Sequence, residues 1–323
     1  MSYCNGCLKD GIEGFCPKCR RELFDGKNIP AMLNFSRPKF NEYKMEKGQK
    51  LSISGVQIKH SLKLENLELI MTERGGEYIL KPLPTGPFQN LTETPANEHI
   101  TMQIARQVFR IETAISALIK FNDGELAYLV KRFDIKPDGT KYLQEDFAQI
   151  AQKTEENSGP NYKYDFSYEE IAGLMKKNVA AYPVEIEKYF RLVLFNYFIC
   201  NGDAHLKNFS LYRNDEFGDY LLTPAYDLLN TSLHVPNESD TALELFRDGF
   251  VTESYKAGSK FTENDFTEFG RRIGIRESRV QNILKEFSQK YSFIKLLVEK
   301  SFLNAETKLL YLSKVKSRME RIQ

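Results

Sequence analysis

Asn201-Gly202-Asp203-Ala204-His205-Leu206-Lys207-Asn208-Phe209, followed by Pro224-Ala225-Tyr226-Asp227-Leu228, decides how this chain is read. A carboxylate, an amide and a second carboxylate fall on either side of a predicted hairpin. Phosphoryl transfer from a magnesium-bound nucleotide needs that set. One carboxylate orients the attacking hydroxyl, while an amide and a second carboxylate hold the metal that neutralises the phosphates. Polar turns collect Asn, Gly and Asp for conformational reasons alone. It is the order and spacing of the two motifs together that point to this chemistry.

Outward from the motif, Pro183 opens a predicted long helix through Cys200, buried through Ile186, Phe190, Val193, Leu194 and Tyr197. That helix delivers the loop 201–208, and a short hairpin (209–213 and 220–223) places Asp227 just beyond a strand. Ser167-Tyr-Glu-Glu170 is a capping box opening a further helix to about Lys177. The chain beyond Thr262 is mostly helical, with Gly274 at a helix end. Upstream the periods are those of strands: 62–71 as one strand, a turn at Arg74-Gly75-Gly76, and a return over 77–82 carrying Lys81. Thr94-Pro95 reads as an N-cap and first turn, with Ile100, Ile104 and Val108 on one helical face and Glu98 in the first turn. Asn122-Asp123-Gly124 joins a second hairpin.

Four blocks resemble, in order, the HipA family, serine/threonine kinases of bacterial toxin–antitoxin pairs. Ser52-Ile-Ser54-Gly55-Val56-Gln57-Ile58-Lys59 resembles its nucleotide-covering loop. Tyr78-Ile-Leu-Lys81-Pro82 resembles the strand with its phosphate-binding lysine, and Leu129-Val-Lys131-Arg132-Phe133-Asp134 the strand entering the interlobe hinge. The 201–209 and 224–228 motifs complete the set, over a stretch from about Leu51 to near the C-terminus. The eukaryotic kinase motifs G-x-G-x-x-G, H-R-D and D-F-G are absent.

The resemblance implies an α+β, two-lobed, protein-kinase-like fold, with a small mixed-sheet lobe (51–134) and a larger helical lobe (135–323). It implies ATP and Mg²⁺ as cofactors, Asp203 as catalytic base, and Asn208 and Asp227 as magnesium ligands. Lys207 either neutralises the migrating phosphoryl group or pairs with Asp203, and His205 braces the loop. Lys81 meets the α/β-phosphates, with Glu98 as a candidate ion-pair partner. Lys131, Arg132 and Phe133 approach the adenine, Ser54 to Lys59 cover the nucleotide, and Tyr226 beside Asp227 belongs to the same contacts. In the family the serine matching Ser52 is self-phosphorylated and the loop is displaced. Ser54 stands two residues away, so either is a candidate.

Cys4-x2-Cys7-x8-Cys16-x2-Cys19 offers two pairs of sulfurs to one tetrahedral zinc. Its alternatives are a disulfide pair or a reduced knuckle. A closed four-thiolate site is structural, and residues 1–24 are expected as a zinc knuckle outside the kinase core. Residues 25–50, punctuated by Gly26, Pro30, Pro38 and Gly48, are expected as a linker. Longer family members carry an additional N-terminal subdomain here. In this chain that subdomain is either absent, supplied by a small separate chain, or replaced by a standalone zinc-bearing interaction module. The resemblance implies a HipB-like DNA-binding antitoxin as partner and, in the second case, that small chain.

With 45 basic and 44 acidic residues the net charge is +1, so no bulk field favours nucleic acid. No apolar run reaches about 18 residues and no signal-peptide pattern opens the chain, so a cytoplasmic protein is expected. The leading function is an ATP-dependent kinase acting on a serine or threonine of a bacterial protein. By resemblance the target class is an aminoacyl-tRNA synthetase, with dormancy as the outcome. The alternatives are a catalytically silent kinase-fold module acting with an antitoxin, or a small-molecule kinase.

Overall fold

The computed structural model describes residues 2–46, 58–216 and 218–322. Ser52, Ser54, Gly55, Val56 and Gln57 of the expected nucleotide loop lie outside the described residues, whereas Ile58 and Lys59 lie within them.

Five strands, β1 (His60–Glu65), β2 (Glu68–Met71), β3 (Tyr78–Lys81), β4 (Ser116–Lys120) and β5 (Leu126–Lys131), form one sheet in the order β2-β1-β3-β5-β4. Every pairing among them is antiparallel, so the sheet is not mixed as expected. Residues 62–71 are a hairpin rather than one strand. Asn66 and Leu67 turn at φ 47° and 65°, the left-handed pair that a tight two-residue hairpin demands. Apolar residues on both sides of the turn concealed it.

β4 and β5 read as continuous apolar runs because the sheet is covered on both faces. Leu118, Tyr128 and Val130 face α3 (Thr94–Gln107), whose Ile100 and Ile104 are fully buried. Ala117, Ile119, Ala127 and Leu129 face the N-terminal segment, with α1 (Pro17–Phe24), α2 (Arg37–Glu46), Phe15 and Phe40. Residues 25–46 are therefore not a linker. The Leu33 amide donates to the Lys120 carbonyl at 2.7 Å and the Lys120 amide to Ala31 at 3.1 Å, laying this segment along β4. Glycine and proline there mark turns between packed pieces. For the same reason the cysteine segment is not outside the core, as expected, but covers one face of the sheet. Thr94 is the first residue of α3 rather than its cap.

The second lobe begins with β6 (Gln144–Asp146), α4 (Phe147–Ile150), α5 (Glu155–Ser158), α6 (Tyr168–Asn178) and α7 (Tyr182–Phe198). β7 (Ser210–Arg213) and β8 (Tyr220–Leu222) form the expected hairpin, and β6 adds a third, unforeseen strand beside β7. α8 (Glu253–Gly258), α9 (Glu263–Arg272), α10 (Glu277–Ser288), α11 (Tyr291–Glu299) and α12 (Ala305–Glu320) complete it.

α7 stops two residues short of its expected end. Cys200 takes a left-handed φ of 57°, the Cys200 amide donates to Tyr197 at 3.1 Å and the Asn201 amide to Asn196 at 2.9 Å. This is a Schellman closure. It is built with Cys where glycine is usual, at a cost of about 1–2 kcal/mol, and it aims the chain into the 201–208 loop. Among the described residues no helix is long and apolar enough to cross a membrane.

Candidate active site

Strand alternation puts Lys81 on the same face of β3 as Ile79, the face turned toward α3. There its Nζ lies 2.6 Å from Glu98 Oε1 and 2.5 Å from Asp227 Oδ1. Lys81 and Glu98 side chains are 7% and 3% exposed, Asp227 42%. Three elements distant in sequence thus converge on one ammonium: the strand, the helix above it and the turn after β8. Asp227 itself sits at φ 55°, a conformation that Asp and Asn tolerate better than most residues.

One cation between two carboxylates leaves the cluster net negative, and burial decides which group yields. Burial, with the Asp227 charge adding to it, pushes the Glu98 carboxyl up to about 7 against the pull of Lys81. For Asp227 burial also acts upward, but the Lys81 ammonium outweighs it and holds the carboxyl below its ordinary value. Burial alone would lower Lys81; the two carboxylates raise it instead, so it stays charged.

A cavity of about 260 Å³ opens against this cluster. Its wall gathers Lys59, Lys81, Lys131, Arg132, Phe133, Tyr226 and Asp227, residues expected at a nucleotide from separate parts of the chain, and adds Asp146 of β6. Phe133 and Tyr226 face each other with ring centroids 5.7 Å apart, an apolar pair suited to a flat base. The amides of Lys131 and Arg132 are committed to the Ile115 and Glu77 carbonyls at 2.8 Å each, so neither amide is free to read adenine. The Lys131 ammonium meets Asp25 at 2.8 Å, and the Arg132 guanidinium meets Asp134.

Asp203, His205, Lys207 and Asn208 stand outside that wall, on the neighbouring loop. The loop is pinned at several points. Asp203 N–H donates to Asn201 Oδ1 (3.2 Å), His205 N–H to Asn208 Oδ1 (3.1 Å), Tyr168 O–H to the Ala204 carbonyl (2.9 Å) and Tyr226 O–H to the Lys207 carbonyl (2.9 Å). The last bond ties the loop to the cavity. Asp203 is half exposed and accepts from the Tyr164 hydroxyl; Lys207 is exposed. His205 Nε2 lies 3.9 Å from Asp203, and burial lowers its pKa below the ordinary value, which suits a brace rather than a charge.

Hard oxygen donors suit Mg²⁺, and the Asp227 carboxylate, kept ionised and partly open to the cavity, fits that role. Asn208 fits less directly, because its Oδ1 is already bonded within the loop.

Three residues here carried no signal in the sequence. Tyr164 reaches Asp203 from a segment without periodicity. Thr231 Oγ1 accepts from the Gly202 amide at 2.7 Å and meets Glu238 at 2.5 Å. Glu238 lies so close beneath the loop that a Cβ on Gly202 would stand 2.3 Å from its carboxyl carbon, which is why glycine is needed there. Burial pushes the Glu238 carboxyl up to about 7.

At the other side of the sheet the sulfurs of Cys4, Cys7, Cys16 and Cys19 all lie within 4.8 Å of one another, Cys7 and Cys16 at 3.6 Å. Tetrahedral zinc with Zn–S near ~2.3 Å separates its sulfurs by about 3.8 Å, so the set matches a four-thiolate site. The Cys16 amide points at Cys4 Sγ (3.2 Å) and the Cys19 amide at Cys16 Sγ (3.5 Å), donors that favour thiolates.

A family model for the HipA-like C-terminal domain matches residues 51–292. A Haemophilus influenzae protein named "Putative kinase" is 29% identical over 325 residues, covering 94% of this chain and 92% of that protein. "Putative kinase Y4dM" of Sinorhizobium fredii is 33% identical over 215 residues, which are 61% of this chain and 49% of that protein, so the chain spans only about half of that relative. Among solved structures, Shewanella oneidensis HipA, determined with HipB and operator DNA, superposes with TM-score 0.66 at 20% identity over 96% of this chain and 75% of its own. The Helicobacter pylori proinflammatory kinase CtkA gives TM-score 0.53 at 13% identity over 81% of this chain and 90% of its own. At such identities these two likenesses speak for the two-lobed, kinase-like fold alone. The family model, by contrast, spans most of the chain and both halves of the site, and the protein belongs to the HipA-like C-terminal domain family.

Proposed function

We propose that the protein is a HipA-like kinase that transfers the γ-phosphate of ATP to a serine or threonine of a bacterial protein, an aminoacyl-tRNA synthetase being the target class. The observation that carries this reading is Lys81 clamped between Glu98 and Asp227 at the wall of a cavity that Lys59, Lys131, Arg132, Phe133 and Tyr226 also line. A buried lysine aimed by a buried glutamate is what phosphate positioning requires. Asp227 would hold Mg²⁺, with Asn208 as a second oxygen donor once its loop bond is shared; the metal's contribution is neutralisation of phosphate charge. Asp203, presented on a pinned loop and open to solvent, would accept the substrate hydroxyl's proton. Lys207, exposed on the same loop, would meet the transferred group, and Phe133 and Tyr226 would offer the base one apolar wall. Ser52, Ser54 or both would be phosphorylated by the chain itself, adding a dianion that would repel ATP. A HipB-like antitoxin would be the regulatory partner, with a small separate chain supplying the N-terminal subdomain of longer members.

The test is incubation with γ-labelled ATP, with and without host lysate. Label on protein supports the reading. No label favours a silent module acting with an antitoxin, and label in a soluble product favours a small-molecule kinase.

A further inference from the structure

The cysteine cluster does not stand apart from the candidate active site. Glu98 and His99 are neighbours on α3, and both are buried. Glu98 holds Lys81, while His99 Nε2 lies 2.9 Å from the Gly6 carbonyl, between Cys4 and Cys7. A carbonyl only accepts, so His99 must carry its proton on Nε2. One turn-pair further along α3, Gln107 Nε2 donates to the Cys7 carbonyl at 3.0 Å, and Arg106 pairs with Glu22 of α1 at 2.8 Å. Two consecutive carbonyls of the first cysteine turn are therefore held by one helix. From the sheet side, Asn5 exchanges two hydrogen bonds with Leu118 of β4, the Leu118 amide to the Asn5 carbonyl at 2.9 Å and Asn5 Nδ2 to the Leu118 carbonyl at 3.1 Å. Gly6 also packs tightly on the cluster, since a Cβ there would fall 2.6 Å from Cys19 Sγ.

We propose that Cys4, Cys7, Cys16 and Cys19 bind one Zn²⁺, and that this site anchors α3 so that Glu98 stays aimed at Lys81. The ligand class follows from four soft sulfurs in tetrahedral reach with no open position. The coupling follows from where the turn's carbonyls point. The turn carries a few backbone hydrogen bonds of its own, Cys4 N–H to the Lys9 carbonyl at 2.9 Å and Leu8 N–H to the Cys4 carbonyl at 3.0 Å. The ion would tie both ends of it to Cys16 and Cys19 as well, and His99 and Gln107 transmit that order to the helix. Without the metal the carbonyls wander, α3 loses two bonds along the face turned to the cysteine segment, and the glutamate's position loosens. His99 and Gln107 are positioning residues. The consequence for nucleotide rests on the kinase reading; the metal site and the coupling to α3 do not.

Metal content of protein purified without chelator should be about one zinc per chain, and Cys19→Ser should lower it at least fivefold. Zinc is then removed with a thiol-directed mercurial plus chelator, and amide hydrogen exchange is followed. Exchange in Thr94–Gln107 should rise at least tenfold while Glu277–Ser288 is unchanged, and added Zn²⁺ should restore protection. Should stripping unfold the whole chain, His99→Leu and Gln107→Ala decide. Each should keep its zinc and its fold yet exchange faster in α3, and His99→Gln, which keeps a donor near the Nε2 position, should restore protection. No zinc with four titratable thiols overturns the site. Unchanged α3 exchange in stripped protein, or in both donor-less variants, overturns the coupling whether or not the protein transfers phosphate.

Discussion

Asp227→Asn separates a chemical role from a structural one, because the two predict opposite balances of activity and stability. Asp227 is 42% exposed, so its ion pair with Lys81 is partly screened and worth about 1 kcal/mol at most. Asn keeps an oxygen within reach of Lys81 and tolerates the left-handed φ of 55° as well as Asp does, so no strain is added. Lys81 also keeps Glu98, 2.6 Å away, and removal of the Asp227 charge lets that carboxyl fall from about 7, so the ammonium remains neutralised. The expected stability loss is about 1 kcal/mol, a fall of roughly 1–2 °C in Tm for 323 residues. Loss of a metal carboxylate withdraws several kcal/mol of transition-state stabilisation, and about 4 kcal/mol is a thousandfold in rate. The assay pairs thermal unfolding with initial rates of label transfer from γ-labelled ATP. A variant within tenfold of wild-type rate would refute the metal assignment. A fall in Tm beyond about 10 °C would show that the side chain holds the fold instead.

Protein expressed alone should carry phosphate at Ser52 or Ser54 in a phosphopeptide map, and the Asp203→Asn protein should not; equal phosphate in both would point to another kinase. Lys81→Met leaves the buried Glu98 without its cation and should destabilise by about 3–5 kcal/mol as well as abolish nucleotide binding, read by denaturation and calorimetry. Gly202→Ala drives a Cβ into Glu238 at 2.3 Å and should cost about 1–3 kcal/mol, with a larger loss of turnover because the Asp203 loop must shift. The Glu238 carboxyl, raised by burial from 4.5 to about 7, favours the protonated folded state. Its stabilising contribution is therefore complete below about pH 4.5 and lost as pH rises through about 7. Glu238→Gln should flatten that part of the stability–pH curve, and an unchanged slope would argue against the buried, raised carboxyl.

The parts legible in the sequence are those whose chemistry is local. The Asn201–Asn208 loop, the β7–β8 turnback and the capping box at Ser167 announce themselves through residue types within a few positions. Lys81 was legible through the resemblance of its strand block to the family's lysine strand, and Glu98 only as a candidate partner on the first turn of the following helix. What stayed hidden was set by partners far along the chain. Tyr164 meets Asp203 from a segment with no period, and Glu238 reaches beneath Gly202 from an irregular loop. Residues 25–46 read as a connector because their glycines and prolines interrupt any period. Yet Leu33, Phe35 and Phe40 bury themselves against the sheet, and no window of local sequence contains that surface. The hairpin at Asn66-Leu67 was hidden differently: a leucine at a left-handed φ carries none of the usual turn chemistry.

The ion cluster at Lys81 also sets what nucleotide must do on arrival. Here Lys81 and Asp227 satisfy each other at 2.5 Å, but their proposed roles pull them toward phosphate and metal respectively. Each would exchange a partner of unit charge for one of greater charge, so their separation is favourable only when nucleotide and metal come together. Glu98 makes that exchange tolerable. Almost fully buried and bonded to Lys81 from the helix side, it keeps the ammonium oriented while the outer partner changes. Its carboxyl, poised near 7 by burial with the Asp227 charge adding to it, should ionise more fully once Asp227 turns away toward a cation. The inner ion pair would then strengthen as the outer one is surrendered. Glu98→Gln removes that compensation without removing the hydrogen bond. It should therefore weaken binding of nucleotide with metal far more than it weakens the resting fold.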